Sequence, residues 1–303
     1  MEYILQTSHL TKRFGKNVAL LDVDLHLCKG DIYGFIGKNG AGKTTLMKIV
    51  LGLLEPTSGS VTYGTEYGAD VDPKKARKRI GSLIEAPGLF LQGTAKENMK
   101  RMAILTGDND QTIDELLSFV GLGEVKKKKV KAFSLGMKQR LGVAIALLGD
   151  PYLLVLDEPM NALDPAGIKE LRELLMRVAH EKGVSILISS HIIDELAKIA
   201  TVFGVIKDGR LMEEVRVEDF ERSVEMATRV EVKNPYEAKE ALKAAGYFVQ
   251  GDSMDQKGVL LKTKGIQVSA VIDCLAKAGI EVLSVHPENG QSLEDFFIER
   301  MGD

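Results

Sequence analysis

The sequence predicts an α/β fold with a mixed sheet at its core, and three observations support this. A glycine-rich segment near residue 40 joins a short apolar strand to a helix. A second apolar strand ends in two adjacent carboxylates, Asp157 and Glu158. Strand and helix patterns alternate along the chain, which is typical of a sheet covered by helices. The pattern changes near residue 218, and 303 residues are enough for a small second α/β domain.

The composition is ordinary for a globular protein and argues against nucleic acid as a partner. Hydrophobic residues make up 45% and charged residues 27%, and the net charge is −3, so no overall positive potential attracts nucleic acid. The basic run at 126–131 is interpreted as a solvated face. Cys28 and Cys274 lie far apart without metal-ligand spacing, which fits a reducing cytosol. The sequence contains no apolar run of about 18 residues, so a membrane role would require a partner.

The first 30 residues predict an antiparallel β subdomain. Tyr3–His9 has the pattern of a strand, and apolar Val23, Leu25 and Leu27 alternate with polar residues as in a second, half-buried strand. The run 31–36 is apolar and bounded by glycines, which favours a buried strand, and helical spacing follows from Thr44. Further strands are expected at 61–63 and 80–84, with a short basic helix at 73–79 between them.

Helical patterns dominate from about residue 85 to 150. Three helices are predicted there, at Glu97–Leu105, Thr112–Val120 and Ser134–Leu148. Because strand signals are few in this region, we interpret it as a helical subdomain inserted into the α/β core.

The core pattern then resumes up to residue 217. Asp164 and Pro165 have the residue types of an N-cap and a first helical position, and Gly183 follows the end of that helix. A buried strand is expected at 184–188 and a helix at 192–200. Asp208-Gly209 joins two strands in a predicted hairpin.

Residues 218–303 predict a separate ferredoxin-like α/β accessory domain. The expected order is strand, helix, two strands, helix and strand. The predicted elements are Arg229–Val232, Tyr236–Ala245, Phe248–Gln250, Val259–Thr263, Val268–Ala278 and Glu281–Val285, with a last helix at Leu293–Met301. The sequence of this region shows no catalytic constellation.

The glycine-rich segment matches the phosphate-binding pattern G-x-x-x-x-G-K-[ST]. Its residues are Gly37, Lys38, Asn39, Gly40, Ala41, Gly42, Lys43, Thr44 and Thr45. The three glycines are expected to allow φ > 0 and a close approach to a ligand, so that backbone N–H groups and the helix N-terminus bind phosphate. Lys43 would reach the β- and γ-phosphates and the Thr44 hydroxyl would bind Mg²⁺, whereas the Lys38 side chain is assigned no role. A chance glycine-rich turn is disfavoured because strand, loop and helix signals agree.

The carboxylates after the apolar run 153–156 complete a nucleotide-hydrolysing pair. Asp157 is expected to hold Mg²⁺ together with Thr44, and Glu158 to polarise the attacking water as a general base. The alternative is two surface carboxylates at a strand end, which the preceding apolar residues disfavour. ATP and Mg²⁺ are therefore the expected ligands.

Over residues 1–217 the chain resembles the nucleotide-binding subunit of an ABC transporter. The segment Phe133-Ser134-Leu135-Gly136-Met137-Lys138-Gln139-Arg140-Leu141 is similar to the signature of that family, departing at Leu135, usually Gly, and at Met137, usually Gln. The resemblance implies that Ser134 and Gly136 meet the γ-phosphate held by the opposite subunit of a dimer. It also implies an ATP-binding cassette fold with antiparallel and helical subdomains.

Three more positions gain a role from this resemblance. The segment 161–164, Asn-Ala-Leu-Asp, is similar to the D-loop of the family, and His191 matches the switch histidine that contacts the γ-phosphate. Phe14 matches an aromatic residue that stacks on the base. From spacing alone, Phe14 could equally cover the small sheet.

Glu85 stands where the family usually has the Q-loop glutamine. A glutamate here resembles the branch that serves bacitracin and lantibiotic self-protection, and it would be a further metal ligand. The alternative is that Glu85 caps or packs at the end of a strand.

The resemblance implies an ATP-hydrolysing subunit that forms an ATP-dependent dimer of cassettes and docks on a separate membrane permease. We expect the dimer to be a homodimer. It would be cytoplasmic, at the inner face of the cell membrane, and would drive export of a peptide antibiotic, a lantibiotic or another drug. An exporter of lipid or polysaccharide is one alternative. A soluble cassette ATPase acting on ribosomes or DNA is another, but the chain has one cassette, and Lys43 and Ser134 are too close for an inserted coiled coil. A regulator without turnover is disfavoured by Glu158.

Overall fold

The computed structural model describes residues 3–64, 72–85, 87–223, 227–247, 249, 258–262, 268–288 and 297. The chain forms two compact units: Met1–Val217 with a C-terminal segment that contains Phe297, and Glu218–Phe296. Phe297 belongs to the first unit because its buried ring packs edge-on against Phe203, with 4.9 Å between centroids. The expectation of one continuous domain over 218–303 therefore differs from the structure at Phe297. The rest of the helix predicted at Leu293–Met301 lies outside the described residues.

The strands and helices of the first unit follow one another in the predicted α/β order. They are β1 (Tyr3–Phe14), β2 (Asn17–Val23), β3 (His26–Cys28), β4 (Ile32–Ile36), α1 (Lys43–Val50), β5 (Ser58–Tyr63), α2 (Pro73–Arg77), β6 (Ile80–Leu83), α3 (Ala95–Thr106), α4 (Asp110–Phe119), α5 (Leu135–Ala146), β7 (Leu153–Asp157), α6 (Pro165–Lys182), β8 (Ser185–Ser190), α7 (Ile193–Ala197), β9 (Val202–Lys207) and β10 (Arg210–Arg216). In the part of the chain that is described, no helix is long and apolar enough to cross a membrane.

The core sheet has six strands in the order β10-β9-β4-β8-β7-β6. The inner pairs are parallel, and β10 runs antiparallel to β9 through the predicted hairpin. Every residue of β4, β7 and β8 is buried, which explains their continuous apolar runs. Because parallel strands end at the same edge, the segments that follow β4, β7 and β8 lie side by side.

The predicted antiparallel subdomain is confirmed, with one correction. Strand β1 pairs antiparallel with β2, β3 and β5. The alternation from Val23 to Leu27 was expected to form one strand, and this is wrong. The Thr7 hydroxyl donates to the Val23 carbonyl oxygen at 2.8 Å and accepts from the Leu25 N–H at 2.9 Å. The Thr7 hydroxyl thus bridges Val23 and Leu25 where β2 ends and β3 begins, and the Thr7 N–H also donates to the Leu25 carbonyl oxygen at 3.0 Å.

The helical region between β6 and β7 contains the three predicted helices, α3, α4 and α5. Helix α3 begins with a reciprocal capping box between Thr94 and Glu97, a local signal that specifies its start. Helix α5 begins after Ser134, whose hydroxyl accepts the Met137 N–H at 3.2 Å. Asp164 caps α6 and Gly183 ends it, as the sequence predicts.

The second unit is a small α/β structure. Its elements are α8 (Val217–Ser223), which begins at the last residue before the boundary, β11 (Ala227–Val232), α9 (Pro235–Ala244), β12 (Gly258–Lys262), α10 (Val268–Lys277) and β13 (Val282–Glu288). The sheet order is β12-β11-β13, all antiparallel, and Val249 bridges Leu261 on the outer side of β12. This is the strand order of the split βαβ arrangement. Phe248 and Gln250 lie outside the described residues.

Candidate functional site

The glycine-rich loop joins β4 to α1, and neighbouring strands approach it closely. Gly42 precedes α1 with φ 114°, and a Cβ on it would lie 2.7 Å from the Ala19 carbonyl oxygen. Gly40 also has positive φ, 84°. Gly37 does not, so the expectation of φ > 0 at all three glycines is wrong there. Glycine is required at position 37 for another reason: a Cβ there would lie 2.5 Å from the carbonyl oxygen of Ile206 on β9.

The turn between β9 and β10 supports the loop through backbone hydrogen bonds. The Gly209 N–H donates to the Ala41 carbonyl oxygen at 3.0 Å, and the Gly209 carbonyl oxygen accepts from the Leu21 N–H at 2.8 Å. The predicted Asp208-Gly209 turn thus connects the core sheet, the loop and the antiparallel sheet.

Lys43 and Thr44, in the first turn of α1, join the loop to the two carboxylates. Lys43 is buried, and its Nζ donates to the Gly37 carbonyl oxygen at 2.5 Å and lies 3.3 Å from Oε1 of Glu158. The Thr44 hydroxyl donates to Oδ2 of Asp157 at 2.6 Å. Lys43, Thr44 and Glu158 border a cleft of about 230 Å³. It is lined by Asn17, Val18, Ala19, Asn39, Gly40, Gly42, Lys43, Thr44, Thr45 and Glu158.

Ser189 also belongs to this site, and sequence reasoning missed it. Its hydroxyl donates to Oδ1 of Asp157 at 2.6 Å and accepts the Glu158 N–H at 2.9 Å. A polar residue at the end of an apolar strand was the available signal. The sequence alone does not reveal that Ser189 on β8 lies directly opposite Asp157 on β7.

Glu158 lies between a cation and an imidazole. Its backbone is left-handed, with φ 48°, and Oε2 is 2.7 Å from Nδ1 of His191. Oε1 faces Lys43 but makes no hydrogen bond among the described residues. The structure therefore brings Lys43, Glu158 and His191 together at the cleft.

Phe14 is at the end of β1 and does not line this cleft. Its side chain is 49% exposed, and Nζ of Lys12 lies 5.1 Å from the ring centroid. The cleft is instead lined by residues 17–19 of β2, which follow the turn after Phe14. The ring remains open to a ligand on the surface.

Glu85 makes an ion pair that the sequence did not suggest. It follows β6 with left-handed φ 62°, and its Oε1 lies 2.9 Å from Nζ of Lys48. Lys48 is on α1, one turn after Thr44. The contact found for this carboxylate is thus with a lysine, and the structure does not show it beside Thr44 or Asp157.

Ser134 and Gly136 lie on a surface outside the cleft. Ser134 is exposed at the start of α5. A Cβ on Gly136 would have no heavy atom nearer than 3.8 Å, so packing within the described chain does not require glycine there. Leu163, of the segment 161–164, approaches this point, and Ala162 has positive φ, 60°.

The donors present fit a magnesium nucleotide. The Thr44 hydroxyl and the Asp157 carboxylate are the hard oxygen ligands that Mg²⁺ takes. The loop combines backbone N–H groups, a helix N-terminus and a buried lysine, which suits a polyphosphate.

Comparisons with known proteins agree with this arrangement. The model of the ABC transporter family matches residues 20–161, a range that includes the loop and both carboxylates. The chain is 36% identical to the bacitracin transport ATP-binding protein BcrA of Enterococcus faecalis, over 100% of this chain and 97% of that protein. It is 44% identical to the lantibiotic transport ATP-binding protein SrtF of Streptococcus pyogenes, over 74% and 95% of the two chains.

Solved structures show the same fold. The protein cbiO1 of Clostridium perfringens, part of the ABC transporter complex cbiONQ, has a TM-score of 0.66 and 27% identity, covering 74% of this chain and 92% of its own. The dimeric post-hydrolysis state of the ATP-binding cassette MJ0796, bound to ADP and Pi, has a TM-score of 0.61 and 25% identity, covering 70% and 98%.

The close packing around Gly42 yields a test of the loop. Gly42→Ala should abolish measurable ATP binding for two reasons. The new Cβ would clash with the Ala19 carbonyl oxygen, and alanine disfavours the positive φ of this position. Gly183→Ala is the control, since Gly183 also has positive φ, 64°, but open space around it at the end of α6. Binding of a fluorescent ATP analogue and thermal unfolding should be measured for both. Normal binding by Gly42→Ala would contradict the assigned role of this backbone.

Proposed function

The chain belongs to the ATP-binding proteins of ABC transporters, and from this we propose that it hydrolyses ATP to drive a separate membrane permease that exports a peptide antibiotic, a lantibiotic or another drug. One observation carries the ATPase assignment: Lys43, Thr44, Asp157 and Glu158 converge at one edge of the core sheet. The names of its relatives, a bacitracin and a lantibiotic transport protein, support the cargo class.

The loop would bind the phosphates of ATP, and Lys43 would turn from the Gly37 carbonyl oxygen toward the β- and γ-phosphates. Thr44 and Asp157 would hold Mg²⁺, which when bound neutralises phosphate charge and orients the triphosphate. Asn39 and Thr45 would line the nucleotide cleft, and Lys38 and Ala41 would contribute backbone atoms to the phosphate-binding loop.

Glu158 would act as the general base of hydrolysis. Its carboxylate accepts a proton from water while the water oxygen bonds to the γ-phosphorus. The bond from that phosphorus to the β–γ bridging oxygen breaks, and ADP leaves with the electron pair. His191, 2.7 Å from Oε2, would orient the carboxylate and then contact the γ-phosphate.

A second copy of the chain would complete each site. Ser134 is exposed, and packing within the described chain does not require glycine at position 136, so both residues can meet ATP held by the opposite copy. Phe14 has an exposed ring for stacking on the adenine base. The dimeric cassette with bound ADP and Pi among the similar structures supports an ATP-dependent dimer, which we propose is a homodimer.

The two units of the chain would have different roles. Residues 1–217 carry every residue assigned above, so we propose that they form the ATPase domain, with the helical subdomain at about 85–150. The remaining α/β unit would be an accessory domain. A permease would hold the protein at the cytoplasmic face of the cell membrane, and we propose no role for nucleic acid.

The first prediction from the proposed function concerns the general base. Glu158→Gln should slow ATP hydrolysis by about 10²–10⁴-fold while ATP binding persists, because the amide cannot accept the proton. Glu173→Gln on the exposed side of α6 is the control and should hydrolyse ATP at the parent rate. Steady-state phosphate release and nucleotide binding provide the measurements. Near-normal turnover by Glu158→Gln would remove Glu158 from this role.

The second prediction concerns the dimer. In the Glu158→Gln background, saturating ATP should double the mass measured by light scattering, because both nucleotides remain unhydrolysed at the interface. Adding Ser134→Arg should keep the protein monomeric, since a long cation would stand where Ser134 meets the partner's nucleotide. Ser60→Arg, on exposed strand β5, adds the same charge elsewhere and should still dimerise. One unchanged monomer mass for Glu158→Gln with ATP would contradict the composite site.

The third prediction concerns Glu85, proposed as a further metal ligand linked to the permease. Glu85→Gln should reduce basal hydrolysis by less than about tenfold, because Asp157 and Glu158 still supply metal ligand and base. Stimulation by the permease, and drug tolerance of cells with the whole transporter, should be lost. Glu124→Gln, an exposed residue of the helical region, is the control. If Glu85→Gln matches the parent in both assays, Glu85 has no part in coupling.

A further inference from the structure

One buried hydroxyl connects the two carboxylates of the site. Ser189 is 0% exposed, and its position on β8 is directly opposite Asp157 on β7. Its hydroxyl holds the side chain of Asp157, at 2.6 Å, and the backbone N–H of Glu158, at 2.9 Å. The same atom therefore constrains both residues that the proposed chemistry requires.

We propose that Ser189 is a positioning residue for ATP hydrolysis, which aims the Asp157 carboxylate at Mg²⁺ and holds the turn that presents Glu158 to water. This inference rests on the proposed roles of Asp157 and Glu158.

The contacts of Asp157 explain the first part. Oδ2 accepts from the Thr44 hydroxyl and Oδ1 from the Ser189 hydroxyl, both at 2.6 Å. With a donor on each oxygen, the carboxylate cannot rotate freely about its last side-chain bond. The Thr44 hydroxyl gives its hydrogen to Asp157, which leaves its lone pairs free for a metal ion. Residues that orient metal ligands in this way commonly affect metal affinity and activity.

The backbone of Glu158 explains the second part. Its φ of 48° is rarely adopted by residues other than glycine and persists only where surrounding contacts hold it. The hydrogen bond from the Glu158 N–H to Ser189 is such a contact. Without it, the turn can relax and carry the carboxylate away from Lys43 and His191.

A purely structural role would be to satisfy buried polar groups, and Ser185 offers a matched control. Ser185 is on the same strand, is 1% exposed, and its hydroxyl accepts the Gly30 N–H at 2.8 Å. It is four residues away, about 13 Å along the strand, so it cannot contact the site. Ser185→Ala and Ser189→Ala both remove a buried hydroxyl from β8.

The experiment compares the parent with Ser189→Ala, Ser189→Cys and Ser185→Ala. Thermal unfolding reports whether each variant folds. Binding of a fluorescent ATP analogue in EDTA reports the affinity of the phosphate loop for nucleotide without metal. The Mg²⁺ concentration that half-maximally strengthens nucleotide binding reports the metal site, and kcat reports turnover. Ser189→Cys keeps the side-chain volume with a weaker donor and acceptor, so the comparison stands even if Ser189→Ala does not fold.

Ser189→Ala and Ser189→Cys should bind the analogue in EDTA within about threefold of the parent, while the Mg²⁺ requirement rises and kcat falls, each by about 10–100-fold. Ser185→Ala should change neither quantity by more than about threefold. The inference is overturned if the Ser189 variants match Ser185→Ala in both, or if they lose only thermal stability. A Glu158→Gln variant with parental turnover would instead refute the proposed function.

Discussion

The hydrogen bond between Thr44 and Asp157 joins the phosphate loop to the end of β7, and the arrangement of the site depends on it. Thr44 is in the first turn of α1, whereas Asp157 follows more than a hundred residues later. Through this contact the glycine-rich loop is joined to the strand end from which Glu158 reaches the cleft. Ser189 extends the same chain of hydrogen bonds to β8, so the ends of β4, β7 and β8 are linked through Thr44, Asp157 and Ser189.

The opposite end of the core sheet is held by a second polar network. The Tyr33 hydroxyl on β4 donates to Glu214 on β10 at 2.7 Å, and His26 on β3 contacts the same carboxylate. Burial, and then the Glu214 charge, raise the pKa of Tyr33 well above its usual value, so it remains a donor across the physiological range. Asp31 pairs nearby with Arg216 at 3.1 Å. The contact of His26 with Glu214 attaches β3 of the antiparallel sheet to β10 of the core sheet.

Ser134, Gly136 and Phe14 are not among the residues that line the cleft beside the phosphate loop. Ser134 and Phe14 are both exposed, and a Cβ at Gly136 would make only ordinary contacts, with no heavy atom nearer than 3.8 Å. The proposed dimer would explain why Ser134 and Gly136 match a motif and still lie outside the cleft of their own chain. Glu85, proposed as a further metal ligand, is paired with Lys48 at 2.9 Å, a cation that offsets its negative charge.

The sequence by itself determined the phosphate loop, the Asp157-Glu158 pair and the start of α6 at Asp164, because each depends on residues adjacent in the chain. It also indicated the order of strands and helices, since periodicity is a local property. Only the tertiary structure decided that Ser189 lies opposite Asp157, that β9 leaves no room for a Cβ at position 37, and that the Thr7 hydroxyl bridges the junction of β2 and β3. It alone placed Phe297 against Phe203. These features depend on the register and close approach of segments far apart in the sequence, which no local pattern encodes.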